Sequence, residues 1–303
     1  ITRSLSQASL TLGLYCTIPP SLRSFKNILD TRLMQPMVNI ALRAARQASE
    51  HIERALERLD LIKREQGTTA KFLNDTCRSV ERNIAQSIQK AYPHHSVIGE
   101  YSGRYEAEGE GPNPCEWQIH TIDSILHFSN ALPSFALCLT GQIKGRIEHA
   151  LILNPITGEE FTASRGQGAQ LNGKRLRVGN RKSLDGALIG TGHLGRSSDL
   201  DNLELQLNIT REIVMAGAST FSTGSVALNL AYTAAGRLDA MLQPGVNPEE
   251  MNAGLLILQE AGGLASDFSG GSNQRTNGQL IAGNPKIFKT LLTAVNAVTR
   301  KAS

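Results

Sequence analysis

Residues 117–128 read Trp-Gln-Ile-His-Thr-Ile-Asp-Ser-Ile-Leu-His-Phe, and this stretch decides the fold. It has the outline of an active-site motif from which most of the chemistry has been removed. One acidic residue, Asp123, remains, and His120, Ser124 and Ile125 stand around it. The sequence therefore indicates a fold more clearly than it indicates a reaction.

Composition and charge are those of an ordinary globular α/β protein. The 303 residues are 40% hydrophobic and include 28 glycines, enough for one large domain or two modest ones. No run of eighteen apolar residues occurs, so we expect no contact with a membrane. The four cysteines are scattered without a C-x-x-C pair, which is typical of reduced thiols in the cytoplasm.

Residues 1–33 differ from the rest of the chain. They hold four cations and one anion, so that only +1 of the net charge of +4 remains for the other residues, too little for a general nucleic-acid-binding field. The segment is rich in Ser and Thr, and we expect a non-native or disordered extension, with translation beginning at Met34. A targeting peptide is the alternative, but the apolar part is short and lacks an A-x-A-type cleavage site.

The body of the chain shows helical and strand patterns in turn. An amphipathic helix is predicted over 37–60, and Asn74-Asp75 would cap a second helix that ends near Ala91. Further helices are predicted at 225–235, 249–261 and 285–298, and strands at 96–98, 135–152 (a hairpin), 161–163, 187–190, 238–242 and 279–282. We expect a layered α/β architecture in two halves, 34–182 and 183–303.

The opening stretch resembles the W-x-I-D-P-[IL]-D-G-T-x-N-F signature of the inositol monophosphatase family, which are magnesium-dependent phosphatases. Other matching segments occur in the same order along the chain, at 99–100, 161–173, 223–225, 230–239, 253–254 and 260–263. The start M-x-P-M-x-N-I-A and the run R-G-Q-G-A-Q-L-N-G resemble most the bacterial branch called SuhB. The resemblance covers about 34–298 and implies a sandwich of alternating α-β-α-β-α layers and a homodimer.

The resemblance also implies where magnesium would bind, since this hard cation prefers carboxylate and carbonyl oxygens. Glu100 matches a glutamate that bridges two metals, Asp123 matches an aspartate ligand, and Ile122 matches a position that offers its backbone carbonyl. His120 and Glu250 stand where the family has two further aspartates. We therefore expect magnesium binding that is weak or lost.

The catalytic and substrate positions are also altered. Cys77 and Ile125 replace the Asp and Thr that orient the attacking water in the family, so no catalytic residue is intact. Losing one positioned proton acceptor costs roughly 10²–10⁴ in rate. Ser124, Gly224 and Gln243 occupy vestigial substrate positions, and Gln243 replaces a glutamate expected to bind inositol hydroxyls.

The histidines and Cys77 can be interpreted either as structural residues or as members of a functional site. We expect His120 to fill a vacated polar pocket, Cys77 to be a small buried thiol, and His94-His95 to lie in a solvated loop. The alternative for the site is a softer ligand set that suits zinc better than magnesium. That set would consist of Cys77, Glu100, His120, Asp123 and Glu250.

Three functions remain open at this point. The first is a catalytically impaired relative that, like SuhB-type proteins, binds NusA and RNA polymerase in transcription antitermination and ribosome biogenesis. The second is a metal-dependent phosphatase with a remodelled site, acting on inositol monophosphate or a related small sugar phosphate. The third is a binding module that senses a phosphate ester without turning it over.

Overall fold

The computed structural model describes residues 20–64, 69–192 and 202–302. The helices are α1 (Pro20–Arg64), α2 (Thr69–Ala91), α3 (Ile125–Ser129), α4 (Leu203–Met215), α5 (Val226–Ala234), α6 (Pro248–Glu260), α7 (Gln274–Asn277) and α8 (Pro285–Ala302). The strands are β1 (Ser96–Gly99), β2 (Gly103–Tyr105), β3 (Glu116–His120), β4 (Leu137–Ile143), β5 (Arg146–Asn154), β6 (Glu159–Ser164), β7 (Gly168–Leu171), β8 (Lys174–Arg175), β9 (Leu188–Thr191), β10 (Ser219–Phe221), β11 (Ala240–Gln243), β12 (Leu264–Ser266) and β13 (Leu280–Gly283).

The first two helices are longer than their sequence patterns. Helix α1 contains the predicted span 37–60 and begins at Pro20, inside the segment that we set apart as an extension; residues 1–19 lie outside the described residues. The predicted cap at Asn74-Asp75 is wrong, because α2 already includes these residues. Leu73 is buried on the same face of α2 as Cys77. Burying Leu73 favours a helix that begins before Asn74-Asp75 rather than at them.

Two sheets form the centre of the molecule. The eight-stranded sheet has the order β2-β1-β3-β4-β5-β6-β7-β8, and β1 and β3 are its one parallel pair. Gly99 lies opposite Ile119 in that pair, so the residues that follow β1 and end β3 reach the same edge of the sheet. The five-stranded sheet has the order β10-β9-β11-β13-β12.

Helices separate and cover the sheets, which gives five layers. One core cluster joins α1 and α2 to the eight-stranded sheet, a second places α5 and α6 between the two sheets, and a third joins the five-stranded sheet to α4 and α8. The predicted order of alternating α-β-α-β-α layers is therefore confirmed. None of the described helices combines the length and the apolar composition that a bilayer crossing requires.

Candidate active site

The paired strand ends bring Glu100 and His120 together. His120 ends β3, Glu100 follows β1, and His120 Nδ1 lies 2.8 Å from Glu100 Oε2. A carboxylate can only accept a hydrogen bond, so Nδ1 must carry the proton and donate it. The His120 side chain is 20% exposed and that of Glu100 is 39% exposed, which places the pair at the mouth of the site.

Acidic neighbours dominate the electrostatics of His120. Burial lowers the pKa of its imidazole, whereas the hydrogen bond to Glu100 and the charges of Glu100, Asp123 and Glu250 raise the pKa, and the net shift is upward. The structure therefore brings four of the predicted site residues into one electrostatic cluster. Within that cluster, His120 contacts Glu100, the carboxylate that the resemblance assigns to a metal.

Asp123 is engaged on both carboxylate oxygens. Its Oδ1 accepts a 2.7 Å hydrogen bond from the backbone N–H of Ala136, and its Oδ2 accepts one from the hydroxyl of Ser225. Ser225 is also the N-cap of α5, where its Oγ accepts from the backbone N–H of Leu228 at 2.9 Å. Asp123 is therefore part of a chain of bonds that runs from the end of β3 to the start of α5.

A fully buried carboxylate, Glu81, lies behind the site, and the sequence analysis missed it. Its Oε2 accepts from the backbone N–H of Ser102 at 2.7 Å and from the Ser102 hydroxyl at 2.6 Å. The backbone N–H of Tyr101 lies 3.1 Å from both oxygens, and the Thr121 hydroxyl donates to Oε1 at 2.9 Å. A Cβ at Gly99 would lie 2.3 Å from Oε2, so only glycine fits there.

A signal for Glu81 was present in the sequence. It shares a helix face with Ile84 and Ile88, which the pattern places on the buried stripe of α2. An acid on a buried stripe needs partners, because an unpaired buried charge is strongly unfavourable. The turn after β1 supplies partners for Glu81, through the backbone N–H groups of Tyr101 and Ser102.

Cys77 lies one turn before Glu81 and is fully buried. Burial and then the charges of Glu81 and Glu100 raise the pKa of its thiol to about 12. The thiolate is the form that attacks carbon or phosphorus and binds metals. At neutral pH Cys77 is therefore a protonated thiol rather than a nucleophile or a base.

The remaining predicted site residues are mostly buried in the fold. Ile125 packs against the core cluster of α1 and α2, and the Ile122 side chain is buried in the same cluster. The hydroxyl of Ser124 is buried without a hydrogen-bond partner. Gly224 adopts φ 74°, and Gln243 is buried on β11.

The donor set does not fit a magnesium site of the family type. No group of three or more His, Cys, Asp or Glu side chains in the described parts of the chain is arranged to hold a metal ion. Glu100 is paired with His120, which stands where the family has an aspartate ligand. The alternative zinc set, which adds Cys77, forms no such group among the described residues either.

The other end of the eight-stranded sheet overturns one expectation. His95 is fully buried, and the indole N–H of Trp117 donates to its Nδ1 at 3.2 Å, so His94-His95 is not a solvated loop. The ring of Tyr92 stacks on the His95 ring at 4.6 Å between centroids and covers one of its faces. The pattern gave no sign of the hydrogen bond, because Trp117 lies 22 residues further along the chain.

Comparisons with known proteins agree on the family. A sequence profile of the Inositol monophosphatase family matches residues 33–300. The chain is 47% identical to the Nus factor SuhB of Pseudomonas aeruginosa over 86% of this chain and 96% of the relative. It is 39% identical to the Nus factor SuhB of Escherichia coli K12 over 86% of this chain and 95% of the relative.

A solved structure supports the same relationship. The extragenic suppressor protein suhB from Bartonella henselae is 28% identical, covers 85% of this chain and 97% of its own, and superposes with a TM-score of 0.73. The similarity therefore extends over both sheets rather than over one motif.

Proposed function

The chain belongs to the inositol monophosphatase family, and from that premise we propose that it acts through protein contacts, as a SuhB-type factor in transcription antitermination and ribosome biogenesis, with its phosphatase chemistry impaired. The proposed partners are NusA and RNA polymerase, and the role requires a cytoplasmic location. Its support is the 47% identity to a relative named Nus factor SuhB, spread over nearly the whole of that relative.

One observation carries the loss of chemistry: the Glu100 carboxylate, which the resemblance assigns to metal, is paired with His120 at 2.8 Å. The groups that would orient the attacking water are replaced by a protonated thiol at Cys77 and a core-packed side chain at Ile125. Each missing proton acceptor costs roughly 10²–10⁴ in rate. These losses support a protein whose retained fold serves a purpose other than hydrolysis.

Binding assays test the partner role. The full chain, immobilised by a tag, is incubated with purified NusA and, separately, with RNA polymerase. We expect retention of NusA that is unchanged by Glu100→Gln, because a partner surface does not need the site carboxylate. Failure to retain either protein would contradict the partner role.

A phosphatase with a remodelled site is the second candidate, and one observation favours it. Glu100, Asp123 and Glu250 still act together on His120, so a concentration of negative charge persists where the family binds cations. Turnover of inositol monophosphate by the wild type with magnesium, manganese or zinc, abolished by Glu100→Gln, would establish this candidate.

A restored variant makes that assay decisive. It carries Cys77→Asp, His120→Asp, Ile125→Thr and Glu250→Asp, and its circular dichroism spectrum is compared with that of the wild type to verify folding. We expect no turnover by the wild type and a gain of at least about 10² over background in the restored variant. Equal activity in both proteins would contradict the proposed impairment.

We also propose a homodimer, as the family resemblance implies. The outer edge strand β10 supports it: its three residues are exposed and uncharged, and no described strand pairs with its free side. Phe221 in this strand is 45% exposed, and Met215 at the end of α4 is 81% exposed. Uncharged edge strands are normally covered. Light scattering should give twice the mass of the chain, and Phe221→Lys should lower it to that of a monomer, whereas Leu264→Lys on β12 should leave the dimer intact.

A further inference from the structure

The carboxylates of the site are held by groups of the protein itself, in two separate bonds. His120 Nδ1 donates to Glu100 Oε2 at 2.8 Å, which links the ends of β3 and β1. The hydroxyl of Ser225 donates to Asp123 Oδ2, which links the segment after β3 to the start of α5, 102 residues further along the chain. Together these two bonds connect one sheet edge to the helix layer beneath it.

A bound cation would compete with His120 for Glu100. A divalent ion binds carboxylate oxygens directly, at about 2.0–2.6 Å, and prefers several of them at once. Asp123 accepts one hydrogen bond on each oxygen, and carboxylates that accept hydrogen bonds still bind metals, so these bonds do not exclude an ion. Glu100 Oε2 instead faces the Nδ1–H donor of His120, and His120 brings no negative charge of its own.

We infer that this chain has exchanged a metal site for a side-chain latch, in which His120, at a position where the family has an aspartate, holds Glu100, so that the ends of β1 and β3 stay joined without a divalent cation. The latch acts on the fold rather than on a substrate, and it does not depend on which partner the protein binds. A chain that lacks NusA binding would still carry the latch, and a metal-stabilised chain could still bind NusA, so the two proposals fail separately.

Thermal melting in the presence and absence of metal tests the inference. The full chain is treated with a chelator, dialysed, and melted alone or with magnesium, manganese or zinc while the circular dichroism signal is recorded. We expect each metal to move the wild-type melting midpoint by less than about 2 °C, below the shift produced by a well-bound ligand in a chain of this size. A saturable rise beyond that, removed by Glu100→Gln, would overturn the inference.

A single variant tests the latch bond under chelation. We expect His120→Ala to lower the melting midpoint by about 2–4 °C. A double-mutant cycle of His120→Ala with Glu100→Ala should be non-additive, because each single change already removes the shared bond. An unchanged midpoint, or strict additivity in the cycle, would overturn the latch.

Replacing His120 with the aspartate of the family should restore a metal ligand and remove the latch. His120→Asp loses the latch bond and returns an anionic ligand, so its midpoint should fall under chelation and rise with magnesium. The matched control is His51→Asp on α1, since His51 also has one side-chain partner, Asn83 Nδ2 at 3.1 Å, and lies away from the site. A metal response in the control, or none in His120→Asp, would contradict the assignment of the exchange to His120.

Discussion

Histidines at the two ends of the eight-stranded sheet have pKa values that are shifted in opposite directions. At the end where β1 and β3 finish, His120 pairs with Glu100 among further carboxylates, and its pKa is raised. At the other end, His95 and His149 are fully buried, and burial lowers the pKa of each to about 4. His120 is partly exposed and its acidic neighbours outweigh the effect of burial on its pKa, whereas burial is the largest cause of the pKa shift at His95 and His149.

Close packing explains the second environment. Trp117, Gly141 and His149 lie side by side on β3, β4 and β5, and the rings of Trp117 and His149 stack at 5.9 Å. A Cβ at Gly141 would lie only 3.1 Å from the indole ring, so glycine makes room for the Trp117 side chain. This end is therefore an aromatic core, whereas the site end is a network of hydrogen-bonded acids.

The largest effect is expected from Glu81→Ala at the site end. It would leave the buried N–H groups of Tyr101 and Ser102 and the Thr121 hydroxyl without their acceptor, and we expect a loss on the order of 4 kcal/mol in the free energy of unfolding. Urea unfolding measures it. Glu81→Gln keeps one acceptor oxygen and should lose less; a loss below about 1 kcal/mol for Glu81→Ala would show that the acid network does not support the fold.

The contribution of His149, at the aromatic end, to the free energy of unfolding should fall in acid. The pKa of His149 is about 4 in the folded state and 6.5 in the reference state, so the unfolded chain binds more protons between these values. Its contribution, up to about 3 kcal/mol, is thus present above pH 6.5 and lost as the pH falls towards 4. Urea unfolding across this range should give a flatter profile for His149→Asn than for the wild type or His51→Asn; parallel profiles would contradict the expectation.

The contribution of His120 to the free energy of unfolding should change with pH in the opposite direction to that of His149, and by a smaller amount. Its folded-state pKa is raised, so its contribution is complete below the reference value of 6.5 and is lost as the pH rises through the folded-state pKa. The amplitude is smaller because Glu100 is 39% exposed and solvent screens the pair. The same unfolding series, extended to alkaline pH, should show a fall in stability that is absent from His120→Asn. A fall of equal size in that variant would remove the contrast between the two ends.

The smallest effect concerns Ser124. Its hydroxyl is buried with no hydrogen-bond partner, and it gives no side-chain cap to α3. Removing an unsatisfied buried group is neutral or favourable, so Ser124→Ala should change the free energy of unfolding by less than about 1 kcal/mol, towards greater stability. A clear destabilisation in urea unfolding would mean that Ser124 does belong to the acid network.

Sequence reasoning reached part of the site. Glu100 and His120 were assigned through matched motifs, and they do meet, because each stands at the end of one of two neighbouring parallel strands. The role of Glu81 was missed, since a glutamate on a helix carries no motif. His95 was misplaced, because its burial depends on Trp117, which lies 22 residues away.

The sequence by itself determined the family, the order of most helices and strands and the loss of ionisable groups at the catalytic positions, because periodicity and motifs are local properties of the chain. Only the tertiary structure decided which atoms replace the missing ligands. The Ser225–Asp123 bond and the enclosure of Glu81 arise where segments far apart in sequence pack together. The stretch from 117 to 128 thus identifies the fold, and its neighbours in space determine what its remaining acids do.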